Sequence, residues 1–449
     1  MSFTYILVQT NFSTSNKKIS KTKITFMSEE ANKTKPLVLG LFGFGVVGEG
    51  LYKVLAKTTS LNASIKKVCI KHPNKKRNAP AELFTTDADL LLNDPEINVI
   101  VEMIDDSEAA YSIVTTAIKN KKQAVSASKK MIAEHLEELI RLQQEHGVSF
   151  LYEAAACASI PVIRNLEEYY DNDLLAGFQG VVNGSTNYIL TKMFEDGLDY
   201  KEALLEAQQL GFAESNPALD VEGIDAVNKL TVLLSHAYGI VSHPSKLLYT
   251  GIQNINANDA KVGAEKGLVI RLVAQARKTN DGKVASFVLP QFVKKDNPLY
   301  NVRNEYNGVV IKSGFADEQF FYGKGAGSFP TASAVLSDIS ALRYEYKYEY
   351  KKLFYHVPNE LTWDFYLKVY VSFEQLQSIP QQYFEWIEEW HSNETGGYLV
   401  GVLHVKHLLE SQWWKQKGVS LVLTADPFIE NIELRQLRKK SLELAGVVV

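Results

Sequence analysis

Cysteine is almost missing from this chain. Only Cys69 and Cys157 occur in 449 residues. Both sit inside apolar runs, at no spacing that would hold a metal, and no disulfide framework is implied. A reducing compartment, the cytoplasm, is the expected location. Long apolar runs are missing too. None reaches the roughly 18 residues that a membrane-spanning helix needs, so no membrane partner is expected. Charge of one sign is not in excess. A net charge of -4 gives no reason to expect nucleic acid or an anionic bilayer. Residues 1–35 contain no arginine, and no acidic residue before Glu29. That Ser-, Thr- and Lys-rich stretch reads as a flexible tail rather than a transit peptide, with Met27 an alternative start. The remainder, with 46% hydrophobic and 22% charged residues over the whole chain, is long enough for two or three domains with ample core.

Strand and helix patterns alternate from Leu37 onward. Leu37 to Phe42, Ile65 to Ile70, Asn98 to Met103, Gln123 to Ser126 and Ser149 to Tyr152 read as strands. Helical spacing starts at Val47 and recurs over Ala109 to Asn120 and Ala133 to Gln144. Such alternation predicts βαβ units and a parallel sheet, a Rossmann-type α/β domain over residues 36–153. Residues 154–343 mix longer helices with strands at Phe178 to Val182 and Ser286 to Leu289, an α+β domain. From Tyr344 the pattern reads as a separate small α+β module over 344–449. Its expected strands are Phe365 to Phe373, Tyr398 to Val405 and Val419 to Thr424, with helices near Gln381 to His391 and Lys406 to Trp414.

The first strand ends in Gly43-Phe44-Gly45-Val46-Val47-Gly48, a GxGxxG between strand and helix. The first glycine permits a tight turn, Gly45 lets backbone approach a pyrophosphate, and Gly48 lets helix pack on strand. The helix N-terminus offers free N–H groups and a positive dipole end to phosphates. An NAD site usually carries a carboxylate at the end of the second strand. This chain instead has Lys71, Lys75, Lys76 and Arg77 there, which favours NADP(H) over NAD(H).

Strand ends in open α/β sheets are where ligands bind. Ser126-Ala-Ser128-Lys129 therefore reads as a segment whose lysine reaches the cofactor's reactive ring. Glu153, ending the next strand, needs a partner if buried. A cation is one option and a hydrogen-bonded structural carboxylate the other. Asn183-Gly-Ser185-Thr-Asn187 offers donors to a substrate, or caps the helix after it. Tyr322-Gly323-Lys-Gly325-Ala-Gly327 reads as a glycine loop that could lie flat on a ligand.

The richest segment is Gly211 to Leu230. Glu214, Asp220, Glu222 and Asp225 crowd a loop before a helix on which Asp225 and Lys229 share one face. Carboxylates suit a substrate ammonium group, and the lysine can move a proton.

In order, LFGFGVVGEGL, VSASKKMIAEH, YEAAACASIPVI, VVNGSTNYILTKM, GFAESNPALDVEGIDAVNKL and YGKGAGSFPTASAVLSDI resemble homoserine dehydrogenase, over Leu37 to Arg343. The resemblance implies reversible NAD(P)H-dependent reduction of L-aspartate 4-semialdehyde to L-homoserine, a step toward threonine and methionine. It also implies a homodimer formed through the catalytic sheet. It makes Lys229 the proton donor, with Lys129 sharing the task and Asp225 orienting Lys229. Glu214 and Asp220 would hold the substrate ammonium, with Ser185 also at the substrate. Gly211 and Gly327 would lie against the ligands. A sodium ion would sit on Glu153 and the carbonyls of Ala156, Ala158 and Ile160.

The chain departs from that pattern at Ser128 (usually Asn), Asp105-Asp106 (usually glycines), Cys157 and Ser159 (usually glycines) and Lys324 (usually Pro). Two rival readings stay open: another Rossmann-type amino-acid oxidoreductase, and an NADP-binding regulator without activity. The chain resembles the monofunctional form of the family rather than the form fused to an aspartokinase. Its C-terminal module is placed like an ACT domain, so inhibition by threonine is an expectation to test.

Overall fold

Leu37–Phe42 (β1) is buried on both faces, as a central parallel strand must be. It pairs in parallel with Ala63–Cys69 (β2) and with Val99–Glu102 (β4). Phe84–Thr85 (β3), Gln123–Ser126 (β5) and Phe150–Leu151 (β6) complete a six-stranded sheet in the order β3-β2-β1-β4-β5-β6. This is the doubly wound nucleotide-binding order, whose cleft opens at the strand C-termini between β1 and β4. The computed structural model describes residues 36–429, apart from Asp173 and Thr395. The expected tail at 1–35 and the end of the C-terminal module lie outside the described residues. Among those described, no helix is long and apolar enough to cross a membrane.

The second sheet is mixed. Its strands are Leu175–Val181 (β7), Leu248–Tyr249 (β8), Val269–Lys278 (β9), Val284–Val293 (β10), Tyr306–Ser313 (β11), Asp317–Lys324 (β12), Tyr366–Phe373 (β13), Phe384–Asn393 (β14), Gly396–His404 (β15) and Val419–Ile429 (β16). The order is β12-β11-β7-β9-β10-β16-β13-β15-β14, with β8 beside β10. The C-terminal strands therefore continue the catalytic sheet, joined where Gln291 of β10 pairs with Leu423 of β16. The segment expected to stand apart shares its sheet with the domain before it. The helix expected at Gln381 to His391 is also corrected: those residues form a short 3-10 turn, then most of β14. Two register shifts against β15, at Phe384/Trp386 and Ile387/Glu389, break the alternation and imitate helical spacing. Tyr322 to Lys324, read as loop, end β12.

Helix Ile224–Tyr238 is the central element of the second domain. Every residue from Asp225 to Tyr238 is buried, as expected of a helix packed on all sides. Glycines in the left-handed region bound it. At Gly223 (φ +82°) a Cβ would lie 2.6 Å from the Thr250 carbonyl, and at Gly239 (φ +67°) 2.4 Å from that of Lys352. Helix Ser328–Leu342 then returns to the nucleotide domain and packs on helix Val46–Leu55. Ser328 Oγ donates to the Val46 carbonyl at 2.7 Å.

Candidate active site

The GxGxxG backbone explains its own glycines. Gly43 has φ +96°, and a Cβ there would sit 2.6 Å from the Met103 carbonyl. A Cβ on Gly48 would sit 2.4 Å from the Gly43 carbonyl, whereas one on Gly45 would meet nothing within 4 Å. Two glycines are thus demanded by packing, and the middle one faces open space at the N-terminus of helix Val46–Leu55. That is the room a pyrophosphate needs. Phe44 is buried between Tyr52 and Phe84, so it is a packing residue behind the turn. Val46 and Val47 begin the helix. Gly327, φ +112°, precedes helix Ser328–Leu342 and leaves its surroundings free of close contact.

Past β2, Lys71, Lys75 and Lys76 are exposed. Arg77 instead donates to the carbonyls of Lys75 (2.7 Å) and His72 (2.8 Å). A hollow of about 460 Å³ lined by Ile70, Lys75, Arg77 and Phe84 lies beside them. The cationic loop is formed as expected, with one of its charges turned inward.

The residues expected to be catalytic gather around Asp225, which is 6% exposed. Lys229, one turn on, places Nζ 2.7 Å from Oδ2 and 2.6 Å from the Val182 carbonyl. Lys129, from the other domain, places Nζ 3.2 Å from Oδ1. Burial would raise the Asp225 carboxyl, but Lys229, Lys129 and the amide of Asn183 outweigh it and hold the group well below the usual range. Asp225 in turn raises Lys129 above the ordinary lysine range.

Asn183 both caps the helix after its turn and bridges two carboxylates. Its Nδ2 donates to Asp220 (2.6 Å) and to Asp225 (2.8 Å), holding two carboxylates that would otherwise repel. Its Oδ1 accepts from the Thr186 amide at 2.8 Å and caps helix Gly184–Glu195. The Asx-Gly-Ser-Thr spacing signals the cap; the bridge across 42 residues leaves no local signal.

Glu214 and Glu222 are both exposed, in the segment between helices Tyr200–Gln209 and Ile224–Tyr238. Gly211 has φ +77° and open space where a Cβ would stand. Ser185, expected to face substrate, donates its hydroxyl to the Phe212 carbonyl at 2.6 Å. It fastens the Gly211 to Glu214 loop to the helix. Asp106, one of the unexpected carboxylates, caps helix Ser107–Lys119 by accepting from the Ala109 amide at 3.1 Å. Ser126 Oγ faces Glu102 and accepts from the Ser128 amide at 3.1 Å.

The Glu153 side chain, expected to hold sodium, is engaged with backbone amides. Both Glu153 oxygens accept backbone amides, from Ile163 (2.8 Å) and Arg164 (3.0 Å), so the carboxylate caps a helical segment. The Ile160 carbonyl accepts from the Val162 amide at 2.8 Å. Positive φ falls at Ala158 (+45°), not at Cys157 or Ser159, so neither departure from glycine strains the loop. Burial and the neighbouring Asp338 push the Glu153 carboxyl up to about 8. Ser159 Oγ donates to the Lys324 carbonyl at 2.9 Å and ties this loop to the glycine segment.

Two family models match the chain: "Homoserine dehydrogenase, NAD binding domain" over residues 43–153 and "Homoserine dehydrogenase" over residues 161–340. The homoserine dehydrogenase of Synechocystis sp. is 37% identical over 311 residues, which span 67% of this chain and 72% of that relative. Among solved structures, a homoserine dehydrogenase from Thiobacillus denitrificans aligns over 87% of this chain and 98% of its own, with a TM-score of 0.77 at 26% identity. A hyperthermophilic archaeal homoserine dehydrogenase in complex with NADPH aligns over 70% of this chain and 99% of its own, with a TM-score of 0.60 at 26% identity.

Proposed function

Because the chain belongs to the homoserine dehydrogenase family, we infer how its residues carry out that family's reaction, the NAD(P)H-dependent interconversion of L-aspartate 4-semialdehyde and L-homoserine. Bound NAD(P)H supplies the hydride; the chain orients the partners and handles the proton. The observation that carries this reading is the pair of lysines from two domains on one buried aspartate.

An ammonium group has three N–H donors. Lys229 spends one on Asp225 and one on the Val182 carbonyl. The third is left for the substrate carbonyl oxygen, which becomes an alkoxide as hydride arrives and takes that proton. Lys129 stands on the other oxygen of Asp225 and adds positive charge at the same developing alkoxide. Asp220 and Glu214 receive the substrate ammonium, with Gly211 and Gly327 giving backbone clearance. In the reverse direction Lys229 takes the proton back.

NADP(H) is preferred over NAD(H). The support is the exposed Lys71, Lys75 and Lys76, which would attract a 2′-phosphate, and the NADPH bound by the archaeal relative. The enzyme pairs as a homodimer through its catalytic sheet. Gln179, Gln275, Phe320 and Tyr322 share one face by strand register, opposite the face that packs on the helices. Phe320 is 41% and Tyr322 50% exposed.

The direct test follows NADPH and NADH oxidation with L-aspartate 4-semialdehyde. A wild type that binds NADPH yet turns over neither cofactor would refute the assignment of these roles.

A further inference from the structure

Glu102 ends β4 and is completely buried. Among the described residues no cation is paired with it. Its partners are hydrogen-bond donors from two different loops. The Ile104 amide donates to Oε1 at 2.6 Å, and the Ser126 hydroxyl donates to Oε2. Its backbone carbonyl also accepts from the Ala127 amide at 3.0 Å. Ser126 Oγ, having given its proton to Glu102, accepts from the Ser128 amide at 3.1 Å. The next residue is Lys129, which opens helix Lys129–His146 and reaches Asp225.

Burial pushes the Glu102 carboxyl up to about 7, against the pull of Ser126 and the Ile104 amide. The Asp105 carboxylate raises it further and also raises Lys129, so that carboxylate acts on both groups. A buried carboxylate without a counterion is an unfavourable way to fill a strand end, since an apolar residue would fill it without desolvation penalty. A chain of hydrogen bonds that ends on the Ser128 amide, one residue before Lys129, gives it a use.

We propose that Glu102 is a positioning residue of the reaction: through Ser126 it fixes the loop that delivers Lys129 to Asp225 and the substrate oxygen. The proposal rests on the catalytic reading of Lys129 above. An inactive wild type would overturn that reading itself, before Glu102 comes into question.

The test is kinetic, on the full chain. Glu102→Gln keeps the shape but replaces one acceptor by a donor, so either the Ser126 hydroxyl or the Ile104 amide loses its acceptor. We expect kcat to fall about tenfold or more, as misplacing a reacting group does, while KM for substrate and Kd for NADPH stay within about threefold. Ser126→Ala cuts the same chain one link later, should the first variant fold poorly, and is expected to lower kcat in the same sense. The decisive comparison places Glu102→Gln in a Lys129→Ala background. If Glu102 acts through Lys129, the second substitution lowers kcat by less than about twofold there. An equal loss in both backgrounds would show a general structural role and overturn the proposal, as would wild-type kcat in a folded Glu102→Gln enzyme.

Discussion

Lys129 and Lys229 approach the two oxygens of one carboxylate from different domains, at 3.2 and 2.7 Å from Asp225. Lys229 shares helix Ile224–Tyr238 with Asp225 and is placed by its own domain, whereas Lys129 reaches that carboxylate only from the nucleotide domain. The full cluster of two lysines on one aspartate is therefore assembled only when the nucleotide and catalytic domains are docked.

Lys229→Ala removes the proposed proton donor. Its kcat is expected to fall by about 10² or more, the usual range for losing a general acid or base, with Kd for NADPH nearly unchanged. Stopped-flow reduction and cofactor titration separate the two. Near-normal turnover would end its assignment.

Asn183→Ala leaves Asp220 and Asp225 facing each other without their shared donor. Hydrogen bonds to charged groups contribute about 1.5–3 kcal/mol each, so KM for aspartate semialdehyde should rise about tenfold or more. The lost helix cap should also lower stability by about 1 kcal/mol. An unchanged KM beside a lowered Tm would mean that the amide serves only the helix.

How much of this was legible beforehand follows from the range of each interaction. The GxGxxG turn and the carboxylate loop are local patterns, and both lie where their spacing places them. Asn183 bridging to Asp225 and Glu102 capturing Ser126 depend on register between distant segments, which composition and periodicity do not encode. The error at β14 has a local cause. Its two bulges set Phe384 and Ile387 three apart and Trp386 and Trp390 four apart, the spacing of a helix face.

Stability should fall as pH rises from 5 to 8. Burial raises the carboxyls of Glu153 to about 8, Glu102 to about 7 and Asp338 to about 6 in the fold. A raised carboxyl favours folding fully below its unfolded value near 4, and that contribution is lost as pH climbs to its folded value. Asp225, held low, works in the opposite direction, but only as pH drops below about 4. Each titrating group contributes about 1.4 kcal/mol per pH unit at most. Calorimetry should show Tm dropping by roughly 3 °C or more over this window, with a shallower slope in Glu153→Gln. A Tm that rises over it would contradict the burial of these groups.

Cofactor choice can be moved at the exposed lysines. Replacing Lys71 and Lys75 together by alanine should weaken NADPH by about tenfold, roughly 1.4 kcal/mol, and leave NADH within twofold. Equal losses for both cofactors would place those lysines elsewhere than at the 2′-phosphate.

The sheet face carrying Phe320 and Tyr322 is open to a direct measurement. Phe320→Asp with Tyr322→Asp puts charge into the proposed interface, where unpaired carboxylates are strongly disfavoured. Sedimentation should then report a monomer in place of a dimer. A wild type that sediments as a monomer at micromolar concentration would remove the dimer altogether.

The bond from Ser159 to the Lys324 carbonyl joins two stretches of chain that both cross between the domains. With helix Ser328–Leu342 packed on helix Val46–Leu55 and Tyr152 bonded to His236, the two crossings are held abreast, so the distance over which Lys129 must reach Asp225 is set by several joints at once.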